Sequence, residues 1–242
     1  MMDRQTTYLN TGIYTVVEAS RLTGVSKWRI RRWMCGYHSE LRKKNYPPLW
    51  GSQLPAIESK IALGFLDLIE IKFVNAFLNA GVSWAIIHKV RAKAQKLYPD
   101  TNHPFCTKQF VTDGRQIFQD VHDETGDVCL VEIATDQRVF ATIITPFLKE
   151  LDFRDGTTLK CWWPLGKDRD IVVDPRKNFG QPTVFREGIP TQNLARSYRA
   201  NLCNPGLNSF AAAPACSESS DRSLCLWNSI APRTHKRLAW AA

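Results

Sequence analysis

The stretch YTVVEASRLTGVSKWRIRRW, Tyr14 to Trp33, decides how the chain is read. Thr15 can cap a helix, and Glu18, three residues on, completes a capping box in which hydroxyl and carboxylate satisfy each other's free backbone donors. The helix then runs through about Leu22 and ends at Gly24, a residue suited to the left-handed closing position. Ser26 caps a second helix. Ala19, Leu22, Val25, Ile30 and Trp33 fall at spacings that let two short helices share one small core, and the small Ala19 permits the close crossing. Two such helices joined by a three- or four-residue turn containing glycine form the helix-turn-helix pattern.

The residues not spent on that core are the informative ones. Lys27, Trp28, Arg29, Arg31 and Arg32 belong to the second helix, whose first turns would enter a major groove, and the helix start at Ser26 can itself receive a phosphate. Arginine reads guanine edges or holds phosphates, and lysine suits phosphate. Arg42, Lys43 and Lys44 follow, then Tyr46-Pro47-Pro48-Leu49-Trp50; this reads as a loop or wing, Arg42 to Trp50, able to lie along a backbone. The plainer alternative is a small helical core with a solvated basic face.

Charge favours the first reading. The net charge of the 242 residues is +9, and residues 1–50 hold nine basic against three acidic residues, while residues 51–200 hold nineteen against eighteen. An excess concentrated in one fifth of a chain draws a polyanion more than a uniform surplus does. The apolar residues near the start are interrupted by polar ones, no run reaches the roughly 18 apolar residues that span a bilayer, and seven cysteines without regular spacing do not read as a disulfide framework, so a cytoplasmic protein with reduced thiols is expected. No CxxC, HExxH, phosphate loop or dinucleotide fingerprint occurs; Gly156, Gly166 and Gly180 lie in the wrong contexts, and no nucleophile has an evident base. No enzyme, metal or cofactor is expected.

Tyr14 to Trp33 resembles the first helix-turn-helix of MerR-type regulators: Gly24-Val25-Ser26 matches that family's turn, Arg31 its helix arginine and Trp33 its core-closing tryptophan. The resemblance implies a DNA-facing role for Lys27, Arg29, Arg31 and Arg32, followed by a wing and a helical section. Tyr46-Pro47-Pro48 stands where the family has a shorter form.

Farther along, Leu63 to Ala80 reads as a helix stopped by Gly81, with Leu66, Ile69, Phe73, Ala76, Phe77 and Ala80 at helical period and Phe65, Leu68, Ile71 and Leu78 widening the arc. A helix this apolar is covered on more than one side, either within one chain or by a second copy. Ser83 caps the next helix, which runs to Tyr98. Its Lys89, Lys93 and Lys96, with Arg91 nearby, form a basic stripe that reads as a solvated face before a second phosphate contact. Gln116 to Val121 and Val128 to Ile133 partly alternate around a polar turn at 122–127 and read as a β-hairpin or a pair of short strands. Asp120, His122, Asp123, Glu124 and Asp127 then crowd a hairpin tip and do not converge on a metal. Asp136 to Glu150 reads as a helix that Pro146 bends or splits. Short strands follow near 151–153, 159–163 and 171–173, and in a strand Trp162 and Trp163 point to opposite faces, one to the core and one to an interface.

IVVDPRKNFGQPTVFREGIPTQNLARSY, from Ile171, resembles the opening of a small domain of unknown function found in antitoxin-like proteins, through Asp174-Pro175, Gly180-Gln181-Pro182, Thr183-Val184 and Gly188-Ile189-Pro190-Thr191. Gly180 and Gly188 mark turns, and Thr191 caps a helix reaching about Tyr198. Taken with LGFLDLIEIKFVNAFLNAGVSWAI and HPFCTKQFVTDGRQIF, residues 12–198 are similar to VapB-type antitoxins. From residue 201 the pattern breaks into Pro, Ser and three of the seven cysteines. That stretch reads as a disordered or non-native tail, as a shifted reading frame would produce.

The expected protein is mainly α with a small β component. Its parts are a MerR-like helix-turn-helix at 12–50, a central helical and α+β domain at 51–170 with a helical pair and possible dimer contact, the start of the antitoxin-associated domain at 171–200, and the tail at 201–242. By resemblance it is the antitoxin of a type II toxin–antitoxin pair: a homodimer that binds double-stranded promoter DNA, represses its own promoter and neutralises a PIN-type ribonuclease. A ligand-responsive MerR-like regulator and a protein-interaction module without DNA binding are the alternatives. If the tail carries no packed structure, deleting residues 204–242 changes the melting temperature by less than about 2 °C; a larger drop in a thermal scan refutes that reading.

Overall fold

The computed structural model describes residues 9–40, 43–125, 137–154 and 158–203. They form a mainly helical protein with small antiparallel two-stranded sheets. A short strand β1 (Tyr14–Thr15) leads into α1 (Val16–Thr23), whose capping box between Thr15 and Glu18 is formed and whose end is closed by Gly24. Helix α2 (Lys27–Cys35) starts at Ser26, whose hydroxyl accepts from the Arg29 N–H at 3.3 Å. The chain then turns through β2 (Tyr37–Ser39) and β3 (Lys44–Tyr46), an antiparallel hairpin. The expected wing at Arg42 to Trp50 therefore begins five residues earlier. Gly36 permits the turn: a Cβ there would lie 2.4 Å from the Tyr46 carbonyl oxygen, at a φ of +70°.

Strand β4 (Ala62–Leu63) pairs with β1, Tyr14 opposite Leu63 and Thr15 opposite Ala62. The helix expected from Leu63 thus begins two residues later, as α3 (Phe65–Asn79), because Ala62 and Leu63 are held in a ladder. Leu68, Ile69, Ile71, Phe73, Val74 and Phe77 are all completely buried, as are the carboxylates Asp67 and Glu70. Most of helix α3 is thus covered within one chain, while Leu66, Ala76 and Leu78 are half-buried. Helix α4 (Trp84–Leu97) follows its Ser83 cap as expected.

The largest departure lies in α5 (Lys108–Thr125), a helix where Gln116 to Val121 reads as a strand. Phe110, Val111, Gly114, Ile117, Phe118 and Val121 are its buried residues, spaced three and four apart. The six-residue window at 116–121 shows only one turn and a half of that stripe, and over so short a span a helical period passes for alternation. The predicted hairpin tip at 122–125 is the end of this helix; residues 126–127 and the second predicted strand, 128–133, lie outside the described residues.

Helix α6 (Gln137–Glu150) runs through Pro146 without a break and leads into β5 (Leu151–Arg154), paired with β6 (Thr158–Trp162). Phenylalanines from four segments meet between these elements: Phe73 stacks on Phe147 with centroids 4.0 Å apart, Phe77 lies 4.9 Å from Phe118, and Phe105 lies 4.5 Å from Phe110. Trp162 and Trp163 are both buried, in separate clusters, so neither supplies the expected interface residue. Trp162 donates to Glu150, which also holds Lys72 at 2.9 Å; Trp163 donates to Asp152.

Strand β7 (Ile171–Val172) pairs with β8 (Thr183–Val184), and α7 (Thr191–Cys203) closes the described chain. Thr191 is the first residue of that helix rather than its cap, and the helix extends five residues past Tyr198. This C-terminal segment reaches back to the start of the chain. The Ile13 N–H donates to the Phe179 carbonyl at 3.1 Å, and the buried Tyr14 hydroxyl donates to the Gly180 carbonyl at 2.7 Å. Gly180 has a φ of +81°, and a Cβ there would sit 2.1 Å from the Tyr14 hydroxyl.

A buried polar group binds the middle. Asp67 accepts from the Trp50 indole at 2.9 Å, Ser52 at 3.2 Å, and the backbone N–H groups of Gln53 at 3.0 Å and Gly64 at 2.8 Å, and its Oδ1 lies 2.9 Å from His103 Nε2. One turn on, Glu70 accepts from the Phe105 N–H at 3.1 Å. Its Oε2 faces Arg91 Nε at 3.9 Å, and both atoms lack a hydrogen-bond partner. Burial pushes the Glu70 carboxyl up to about 7; the charges of His103 and Arg91 and the Phe105 N–H oppose the shift only in part. A native acid that holds its proton more tightly than the unfolded chain stabilises the fold fully at pH values below its ordinary range, and this stabilisation is lost as pH rises through 7. Chemical denaturation midpoints are expected to fall between pH 5 and 8, with a contribution from this group of about 3 kcal/mol. Glu70→Gln should flatten that slope; an unchanged slope in the variant refutes the assignment.

Candidate nucleic-acid interface

Helix α2 is fixed from its inner side. Ile30, Trp33 and Met34 are buried, and Trp33 stacks on Trp84 of α4 with ring centroids 5.8 Å apart. After the hairpin the chain returns beneath the helix, where the Leu49 N–H donates to the Trp33 carbonyl at 2.8 Å. Trp50 then reaches Asp67. The inner face of α2 is thereby tied to α4, to the chain that follows the hairpin and, through Asp67, to α3.

The outer face carries the predicted site. Ser26 is exposed and uses its hydroxyl as the cap. Lys27, Arg29 and Arg31 are exposed, and among the described residues no carboxylate pairs with any of them. Trp28 is 63% exposed. Arg32 is placed differently. It is half-buried, with its guanidinium 4.6 Å from the Trp28 ring centroid and 3.3 Å from that of Tyr37. Tyr37 in turn stacks on Tyr46 across the hairpin, centroids 4.6 Å apart and planes 11° from parallel. Arg32 therefore fastens α2 to the hairpin through its flat faces. Lys43 is exposed at the hairpin tip, Lys44 opens β3 opposite Ser39, and Arg42 lies outside the described residues.

The structure brings Lys27, Trp28, Arg29, Arg31, Arg32 and the hairpin base into one region. The pairing of Tyr37 with Tyr46 is not evident in the sequence, where its one signal is a pair of tyrosines bracketing a polar, basic turn. The second basic stripe is partly spent inside the protein. Lys93 pairs with Asp120 at 3.2 Å and Glu124 at 2.7 Å of α5, and Arg91 donates to the Asn102 carbonyl. Lys89 and Lys96 remain exposed. Among the described residues no cluster of three or more histidine, cysteine, aspartate or glutamate side chains could hold a metal ion, and no helix is long and apolar enough to cross a membrane.

No family model matches the chain. It is similar to a Mycobacterium tuberculosis protein named "Putative antitoxin VapB45", 27% identical over 203 residues that cover 78% of this chain and 83% of that protein. Uncharacterized protein Rv2308 of the same organism is 24% identical over 208 residues, 79% of this chain and 80% of its own. The crystal structure of Rv2018, also from Mycobacterium tuberculosis, shares the fold: the TM-score is 0.61 at 21% identity, over 80% of this chain and 89% of that one.

The two neighbouring arginines should behave differently when removed. Arg32→Ala, which unstacks Trp28 and Tyr37, is expected to cost about 1 kcal/mol of stability. Arg31→Ala should leave the melting curve within about 0.5 kcal/mol of wild type. Equal effects of the two substitutions would contradict the stacking role of Arg32.

Proposed function

We propose that this chain is a DNA-binding regulator acting as the antitoxin of a type II toxin–antitoxin pair. The observation that carries the DNA-binding part is the cationic face of α2 (Lys27, Arg29 and Arg31), with which no carboxylate among the described residues pairs, beside a hairpin fastened to the same helix. On this reading α1 and α2 are a helix-turn-helix and α2 is its recognition helix. The outward side chains enter the major groove, Arg31 reads a base edge, and Lys27, Arg29 and the hairpin cations Arg42, Lys43 and Lys44 hold phosphates. Arg32, held by its faces, adds positive charge and sets the angle between helix and hairpin. Repression follows from occupying the promoter, with no bond made or broken. A homodimer would present two such heads to paired half-sites.

The antitoxin part is supported by the likeness to the mycobacterial protein named "Putative antitoxin VapB45" together with the sequence pattern of residues 171–198. The partner expected from that pattern is a PIN-type ribonuclease, masked in the cytoplasm by a surface separate from the DNA-binding face.

Promoter binding is the direct test. Anisotropy titrations of the full chain on its own promoter duplex should give an affinity that falls steeply with salt, log K dropping by about 0.9 for each neutralised phosphate per tenfold rise in salt concentration. Arg31→Ala should weaken specific binding by about tenfold or more while the fold is kept. Wild-type affinity no greater for the promoter than for unrelated duplex, or an unaffected Arg31→Ala variant, would refute the DNA reading. Failure of the chain to inhibit the ribonuclease encoded beside it would refute the antitoxin reading alone.

A further inference from the structure

Among the described residues Trp28 is the large apolar side chain exposed on the cationic face of α2, and its position is held. It shares a stripe of α2 with Arg31, Arg32 and Cys35, at helical offsets of three, four and seven. Its ring packs on the Arg32 guanidinium, 4.6 Å from its centroid, and that guanidinium also packs on Tyr37. Even so, 63% of the side chain meets solvent. Isolated exposed apolar residues are common and need no account. This one is ordered in advance by a cation, sits in the first turn of the helix and is flanked by exposed positive charge that no carboxylate among the described residues pairs.

A partner for such a ring must be apolar, small and set within a polyanion. Phosphate oxygens do not meet this requirement, because the face of an aromatic ring carries negative potential and repels them. In the major groove the apolar group presented by base pairs is the thymine 5-methyl. We infer that Trp28 reads thymine, placing its exposed ring against that methyl while Arg31 reads a neighbouring base edge. The inference rests on the DNA-binding reading above and adds a specificity that the charge alone does not supply. Arg32 acts here as a positioning residue: stacked beneath the indole, it lowers the ordering cost of the contact.

The test begins with duplexes selected from a random pool by the full-length protein, followed by replacement of each thymine in the selected site by deoxyuridine, which removes the methyl and nothing else. One thymine per half-site should be found where this replacement weakens wild-type binding about fourfold, the worth of one buried methyl. At that position the loss should vanish in Trp28→Ala and persist in part in Trp28→Phe. A selected site without a preferred thymine overturns the inference, as do indifference to deoxyuridine at every position and a Trp28→Ala variant that weakens all duplexes equally, as removal of an indole–phosphate hydrogen bond would. A pool from which nothing is enriched overturns the DNA-binding reading as well.

Discussion

The carboxylate of Asp67 is the constraint around which the molecule is arranged. A charged group with no exposed surface is stable only if its lone pairs are filled, and removing its partners one at a time costs far more than the average hydrogen bond. Asp67 gathers its partners from distant parts of the chain: Trp50, Ser52 and Gln53 after the hairpin, the Gly64 N–H at the start of α3, and His103 before α5. The buried acid is satisfied only with all three segments in place. Its burial therefore fixes how the two N-terminal helices sit against the helical middle, and α3 can be apolar on nearly all other sides because the same segments cover it.

That arrangement leaves α2 with one available face. Its inner residues are held by Trp84 and by the chain that returns to Asp67. The C-terminal segment meets the opposite end of the same unit, at Ile13 and Tyr14, where the close approach of Gly180 to the tyrosine hydroxyl admits no side chain. The basic face is thus backed by contacts from three regions, and a side chain on it starts from a defined place. Such preorganisation lowers the ordering cost of any contact it makes.

Local chemistry was legible in the sequence. Thr15 with Glu18, Ser26, Ser83 and Gly24 act within a few residues of themselves, and the structure has each where its type demands. Long periodic segments were legible for the same reason, since a buried stripe several turns long has no other explanation. Helix α5 escaped because its stripe was read through a window too short to separate the two periods. The Asp67 group and the Tyr37–Tyr46 pair escaped for a different reason. Asp67 appears in sequence as one polar residue in an apolar helix, and its partners lie three to thirty-six positions away. The tyrosines gain meaning only when the hairpin brings them together around Arg32. Side chains whose role depends on segments meeting leave no period to read.

Charge shows the same division between what a segment does with itself and what it leaves over. In the described part of the chain beyond residue 50 several cations are answered by carboxylates: Lys72 by Glu150, Lys93 by Asp120 and Glu124, Lys167 by Asp152, Arg176 by Asp174. Those pairs join elements or close turns. In α2 the opposite choice was made. Its core residues face inward, its tethered arginine is held by aromatic rings, and no carboxylate among the described residues pairs with Lys27, Arg29 or Arg31. Holding Arg32 by rings orders the guanidinium while leaving its charge unneutralised, as a carboxylate partner would not. A fold that needed only a stable helix here would gain from acidic neighbours at the helix start, where the dipole favours them, yet the first turn of α2 has none. The positive end of that dipole and the exposed cationic side chains lie together at the start of α2, and the proposed DNA binding rests on that combination.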